Sequence, residues 1–115
     1  MRTLLVENDI RRVLAMKEAG RIPSGSFVVA TAHEAVLAIR AEAFREVWLD
    51  YDLEGRQKGS EAARALAGAP WRPSRVVIHS SNSSGGFEMN RILLDAGLHP
   101  EWTPITSLIP GLVWD

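Results

Sequence analysis

Three short stretches carry residues whose types and spacing suit chemistry: VEND at 6–9, LDYDL at 49–53 and HSSNSSGG at 79–86. Each follows an apolar run, so each stands where a buried strand would hand over to a turn. Asp50 and Asp52 lie two apart, which puts their carboxylates on one side if the strand continues and separates them if it turns at Tyr51. As a working pair, Asp50 is a metal ligand or phosphoryl acceptor and Asp52 a supporting acid; otherwise they are a solvated strand end and a turn acid. His79 could handle a proton near neutral pH or donate to a phosphate oxygen, although a histidine at a strand end also serves simply to bond a backbone carbonyl. Beside it stand Ser80 and Asn82. The serines and glycines that follow, Ser84 and Gly85 among them, let backbone N–H groups face an anion at the start of a helix. The bland form of this loop is a flexible helix entrance with a serine cap. It lacks the G-K-[ST] of a P-loop, so nucleoside triphosphate binding is not indicated.

The elements that would position these groups follow from apolar patterning. TLLV at 3–6 reads as a buried strand, and Asp9 as the cap of a helix whose apolar face is Ile10, Val13 and Leu14, stopped at Gly20. FVVAT at 27–31 is a second strand. Thr31 and Glu34 then form the T-x-x-E capping box of the helix AHEAVLAIRAEAF. EVWLD at 46–50 is a third strand, and Ser60 is the expected cap of a short helix, EAARALAG. RVVIHS at 75–80 is a fourth, leading through the polar loop into the helix FEMNRILLDA, closed by Gly97. TPITSL is a weaker extended segment expected as a fifth strand. Strand and helix in this alternation predict a doubly wound, three-layer α/β fold with a mostly parallel sheet of about five strands. Ligands of such sheets bind at the carboxyl ends of the strands, where strand order reverses, and the three stretches converge on that edge.

LLVEND before a helix, and VWLDYDL closing the third strand, resemble the receiver domains of two-component response regulators. The closer resemblance is to a divergent branch, the cyclic-phosphate processing receiver-like domain, marked by L-D-x-D-L and H-S-x-N-x-x-G-x-x-x-M segments. Here these are Leu49, Asp50, Tyr51, Asp52 and Leu53, then His79, Ser80, Asn82, Gly85 and Met89. The resemblance spans residues 3 to 107 in element order. It implies a flavodoxin/receiver-like fold and Mg2+ held by Glu7, Asp50 and Asp52. Read from the residues themselves, Asp50 and His79 are the candidate reacting groups, and Ser80, Asn82, Ser84 and Gly85 the candidate phosphate contacts. Asn8 stands where receivers carry a second acid, which should weaken a magnesium site. No lysine follows the fifth segment, and IPGLVWD is too short and too rich in Pro and Gly for a final helix, so that helix is expected to be missing or truncated.

Bulk properties bound the rest. At 115 residues the chain, 1–115, is read as a single domain. It is 46% hydrophobic and 23% charged with no long apolar run, which excludes a transmembrane helix. The N-terminus lacks the apolar core of a signal peptide and the chain has no cysteine, so the expected setting is cytoplasmic. A formal charge of -1 gives no footprint for wrapping nucleic acid, and the pair Arg11 and Arg12 reads as solvated. Trp48 is expected in the core, and Trp71 and Trp114 over sheet edges or against a partner. Two functions remain open. One is an anion pocket acting on or sensing a phosphate-bearing ligand. The other is a degenerate receiver that recruits a protein partner or a second copy without catalysis.

Overall fold

The computed structural model describes residues 1–104. The elements are β1 (Thr3–Val6), α1 (Ile10–Glu18), β2 (Phe27–Val29), α2 (Ala32–Ala41), β3 (Glu46–Leu49), α3 (Gly59–Ala67), β4 (Arg75–Ile78), α4 (Ser83–Asp95) and β5 (Glu101–Trp102). All strand pairs are parallel, in the order β2-β1-β3-β4-β5. Strand order reverses between β1 and β3, the place where doubly wound sheets open a crevice.

Alternation along the strands divides the core in two. Leu4, Val6, Val47, Leu49, Val76 and Ile78 pack with the buried faces of α2, α3 and α4. Leu5, Trp48 and Val77 point the other way and meet Val13 and Met16 of α1 together with Ile22. The expected α1 stripe is therefore corrected: Val13 is buried, but Ile10 and Leu14 are exposed and Met16 takes their place. Trp48 and Ile22 supply the rest of that apolar surface, so a narrow stripe suffices.

Local signals behave as their chemistry requires, with three exceptions. Asp9 caps α1 by accepting from the Arg11 N–H, and Thr31 and Glu34 close the capping box of α2. The α3 cap is different: Ser60 lies inside the helix and buried, and the N-cap is Lys58, which makes no side-chain cap bond. A Cβ on Gly59 would overlap the Asp50 carbonyl, so only glycine lets α3 begin this close to the end of β3. The serine cap of α4 gives way to Asn82, which accepts from Gly85 N–H at 2.8 Å. The fifth strand is Glu101–Trp102, just before TPITSL, and pairs with Val77 and Ile78. Residues 105–115, including most of TPITSL, the IPGLVWD segment and Trp114, lie outside the described residues. Trp71 donates from Nε1 to the Ile39 carbonyl at 3.1 Å and packs edge-on against Phe44.

Candidate functional site

Strand register builds the site. Val6 is level with Leu49, and Leu49 with Ile78, so the next residues, Glu7, Asp50 and His79, leave their strands side by side. They share the pleat parity of Leu5, Trp48 and Val77, which directs all three toward α1. Backbone bonds extend the ladder to them, from Glu7 N–H to Val29 O and from His79 N–H to Leu49 O. The outcome is a buried cluster: Glu7 is 2% exposed, Asp50 1% and His79 0%.

Arg12 reaches into this cluster. It lies in the first turn of α1, and long helical side chains lean toward the helix N-terminus, here the carboxyl edge of the sheet. One guanidinium nitrogen stands 3.7 Å from Glu7 Oε1 and 3.8 Å from Asp50 Oδ2, and its Nε stands 3.9 Å from Asp9 Oδ2. These are ion-pair distances, longer than hydrogen bonds. Arg12 is therefore a site residue that sequence reasoning placed among solvated bases. The available signal was its position: two arginines in a first helical turn oppose the helix dipole and call for nearby acids.

Charge compensation is thus achieved without full hydrogen bonding. Asp50 Oδ1 accepts from Tyr51 N–H at 2.8 Å and Glu7 Oε2 from Asp9 N–H at 3.1 Å. Glu7 Oε1, Asp50 Oδ2 and both imidazole nitrogens of His79 have no hydrogen-bond partner, although Nδ1 lies 3.6 Å from Glu7 Oε1. Burial, reinforced by the charge of Asp50, pushes the Glu7 carboxyl up to about 8. Burial raises Asp50 as well, opposed by the Tyr51 N–H, Arg12 and the Ser80 hydroxyl. Burial lowers His79 to about 3. His79 is accordingly an enclosed ring beside Glu7, its imidazolium form disfavoured by burial.

The second half of the site is the start of α4. Ser80 is buried and its Oγ accepts from Asn82 N–H at 3.1 Å. Asn82 Nδ2 donates to the Asp52 carboxylate at 3.3–3.4 Å, while its Oδ1 accepts from Ser84 Oγ and Gly85 N–H. Asp52 is exposed and lies past the end of β3 at Leu49, where the chain bends. The Gly85 amide is taken up by the cap. A Cβ on Gly85 would overlap the Tyr51 ring and one on Gly86 the Trp102 ring, so this glycine pair serves close packing of aromatics. The amides at the first two helical positions, Ser83 and Ser84, are those a helix leaves pointing outward. Oriented to satisfy its neighbours, the Asn8 amide donates to the Asp52 carbonyl at 3.0 Å and to Glu7 Oε2 at 3.3 Å, tying the two loops together.

Whether a divalent cation fits is decided by the orphaned oxygens. Glu7 Oε1 and Asp50 Oδ2 are hard, buried and unsatisfied, and Mg2+ characteristically takes one or two carboxylates plus water and phosphate oxygens. The pair suits such an ion. Among the described residues no cluster of three or more acidic, imidazole or thiol groups is arranged to hold a metal. Asp52, expected as a third ligand, accepts hydrogen bonds from Asn82.

The profile of the cyclic-phosphate processing receiver domain matches residues 3–95. The chain belongs to that family. Structural likeness agrees on the fold. The receiver domain of the sensor histidine kinase PA1611 from Pseudomonas aeruginosa PAO1, with magnesium in its active site cleft, superposes with a TM-score of 0.62 at 20% identity, covering 90% of this chain and 83% of that one. A CheY-like receiver domain from Methanospirillum hungatei JF-1 gives 0.64 at 24%, covering 90% and 81%. The BeF3-activated receiver domain of RstA from Klebsiella pneumoniae gives 0.61 at 22%, covering 92% and 86%. No curated protein sequence matches the chain. The receiver domain described here has no helix, among its described residues, long and apolar enough to cross a membrane.

Proposed function

We propose that the carboxyl edge of the sheet binds a phosphate-bearing ligand, of the cyclic-phosphate class named in the family, together with Mg2+. The observation that carries this reading is the pair of buried carboxylates, Glu7 and Asp50, each with an oxygen lacking a hydrogen-bond partner, set at the strand-order reversal beside the start of α4. Glu7 and Asp50 would hold the cation, which when bound supplies positive charge to phosphate oxygens. Ser80, Asn82, Ser84 and the first amides of α4 face the same edge and would meet the anion. Asp52 and Asn8 hold the loops, and His79 keeps Glu7 in place from below. We further place the protein in the cytoplasm. Whether the site turns over its ligand or senses it, the first step is the same binding event.

Magnesium titration, followed by cyclic-phosphate nucleotides in its presence, tests this by tryptophan fluorescence and by NMR signals around Asp50 and Ser80. Asp50→Asn and Ser80→Ala are expected to weaken binding strongly. Undiminished binding in both variants would sink the proposal. A second reading, recruitment of a protein or a second copy, is favoured by Phe87 and Leu94, 60% and 48% exposed and seven residues apart on one face of α4. A monomer at every concentration in sedimentation, with no change on Phe87→Ser, would count against a second copy.

A further inference from the structure

We propose that Arg12 is a built-in cation that occupies the carboxylate pair in the absence of a divalent ion, so that ion binding requires its guanidinium to leave. The inference rests on the reading of Glu7 and Asp50 as the ion site. One nitrogen of Arg12 sits 3.7 Å from Glu7 Oε1 and 3.8 Å from Asp50 Oδ2, the two carboxylate oxygens that lack hydrogen bonds. The guanidinium therefore neutralises charge while leaving the lone pairs unsatisfied. A direct metal–oxygen contact would supply both, at about 2.0–2.1 Å for Mg2+. A dication bound to these oxygens would meet a guanidinium charge that stands within 4 Å of both, so the two cations compete for the pair. Arg12 also has somewhere to go: its Nε is 3.9 Å from Asp9 Oδ2 at the more open rim, and 21% of its side chain is already exposed. Arg12 thus acts as a positioning residue that sets a threshold for the ion and shields the buried acids below it.

The test uses Mn2+ and Mg2+ with the full chain. Calorimetric Mn2+ binding is expected to be at least about tenfold tighter in Arg12→Gln than in wild type, since a unit charge about 4 Å away is removed together with the competitor. In EDTA this variant should melt earlier than wild type and recover on adding Mg2+, while wild type shifts little. If the variant folds only in Mg2+, that too supports the exchange. In wild type, saturating Mg2+ should move the Arg12 Nε–H resonance, which separates displacement from simple charge repulsion. Equal Mn2+ affinity in the two proteins, or Mg2+ bound at Asp50 with the Arg12 resonance unmoved, overturns the proposal. Cyclic-phosphate binding with equal ion affinities defeats it alone. Tighter ion binding in the variant without any phosphate binding leaves it standing and defeats the functional reading instead.

Discussion

Glu7 and Asp50 at the ends of β1 and β3 are buried with oxygens that no hydrogen bond satisfies, whereas Asn82 at the entrance to α4 has both ends of its amide engaged. The two clusters share one sheet edge but are built to different rules. The α4 side is a scaffold: its polar atoms are matched locally, and its glycines let Tyr51 and Trp102 close over it. The β1–β3 side holds two carboxyl groups in a low-dielectric setting with one arginine beside them, and burial disfavours their charged forms until a cation relieves them. Protein interiors seldom leave buried polar atoms unpaired, so the unpaired group marks where a cation would be held, next to the α4 entrance that would meet the anion.

The largest expected effect comes from breaking the support under the acidic half. Gly59→Ala would drive a Cβ into the Asp50 carbonyl and against the Tyr51 Cα, both backbone and unable to turn aside. A loss of about 3 kcal/mol in denaturant unfolding is expected, together with displaced Asp50 and Tyr51 amide resonances. A variant as stable as wild type with an unmoved Asp50 would show that α3 does not brace this end of β3.

Acidity sharpens the contrast next. The folded pKa of Glu7, about 8, lies above its ordinary value of 4.5, so its contribution to stability is full below 4.5 and is lost as pH rises toward 8. His79 has the opposite sign. Its folded value of about 3 lies below 6.5, so its contribution is present above 6.5 and is lost as pH falls toward 3. Between 4.5 and 6.5 the two slopes oppose; above 6.5 only that of Glu7 remains. Without added divalent ions, stability should therefore fall by roughly 2 kcal/mol from pH 6.5 to 8. Glu7→Gln should flatten most of that fall in melting curves across this range. An unchanged slope in the variant would remove Glu7 as its source.

On the scaffold side, Gly85→Ala places a Cβ in the Tyr51 ring near its attachment point. The ring is half-buried and can yield in part, so a loss of about 1–2 kcal/mol is expected, smaller than for Gly59→Ala. Tyr51 ring resonances should shift while Glu7 and Arg12 stay in place. Disturbance of both halves together would argue that they form one mechanical unit.

Much of this was legible from sequence because the signals are local. Apolar runs gave β1, β3 and β4 their places, Asp9 and the Thr31–Glu34 box gave two helix starts, and the alternation of strand and helix gave the parallel sheet. What was hidden depends on register and on partners distant in the chain. The levelling of Glu7, Asp50 and His79 follows from pairings that no local pattern states, and it sets His79, fully buried, beside Glu7. Arg12 was missed because a basic pair near a helix start looks solvated until the acids of two other loops are brought over it. At Gly85 the sequence shows a missing side chain but not the Tyr51 ring that fills the space.

Asn82 gives the smallest and most discriminating test, because one side chain joins the scaffold to Asp52. Its Oδ1 caps α4 and its Nδ2 holds the Asp52 carboxylate. Asn82→Ala removes both and should lose about 1 kcal/mol, the ordinary worth of an N-cap. Asn82→Asp keeps a capping oxygen of equal rank but replaces the donor with a charge facing Asp52. Its effect on global stability should be a few tenths of a kcal/mol, since the exposed repulsion is screened and the added charge favours the helix N-terminus. If this loop meets phosphate, the aspartate should nevertheless weaken anion binding more than alanine does, because it sets a negative charge where the ligand's would lie. Stability and binding would then rank the two variants in opposite orders, an outcome that a purely structural Asn82 cannot produce.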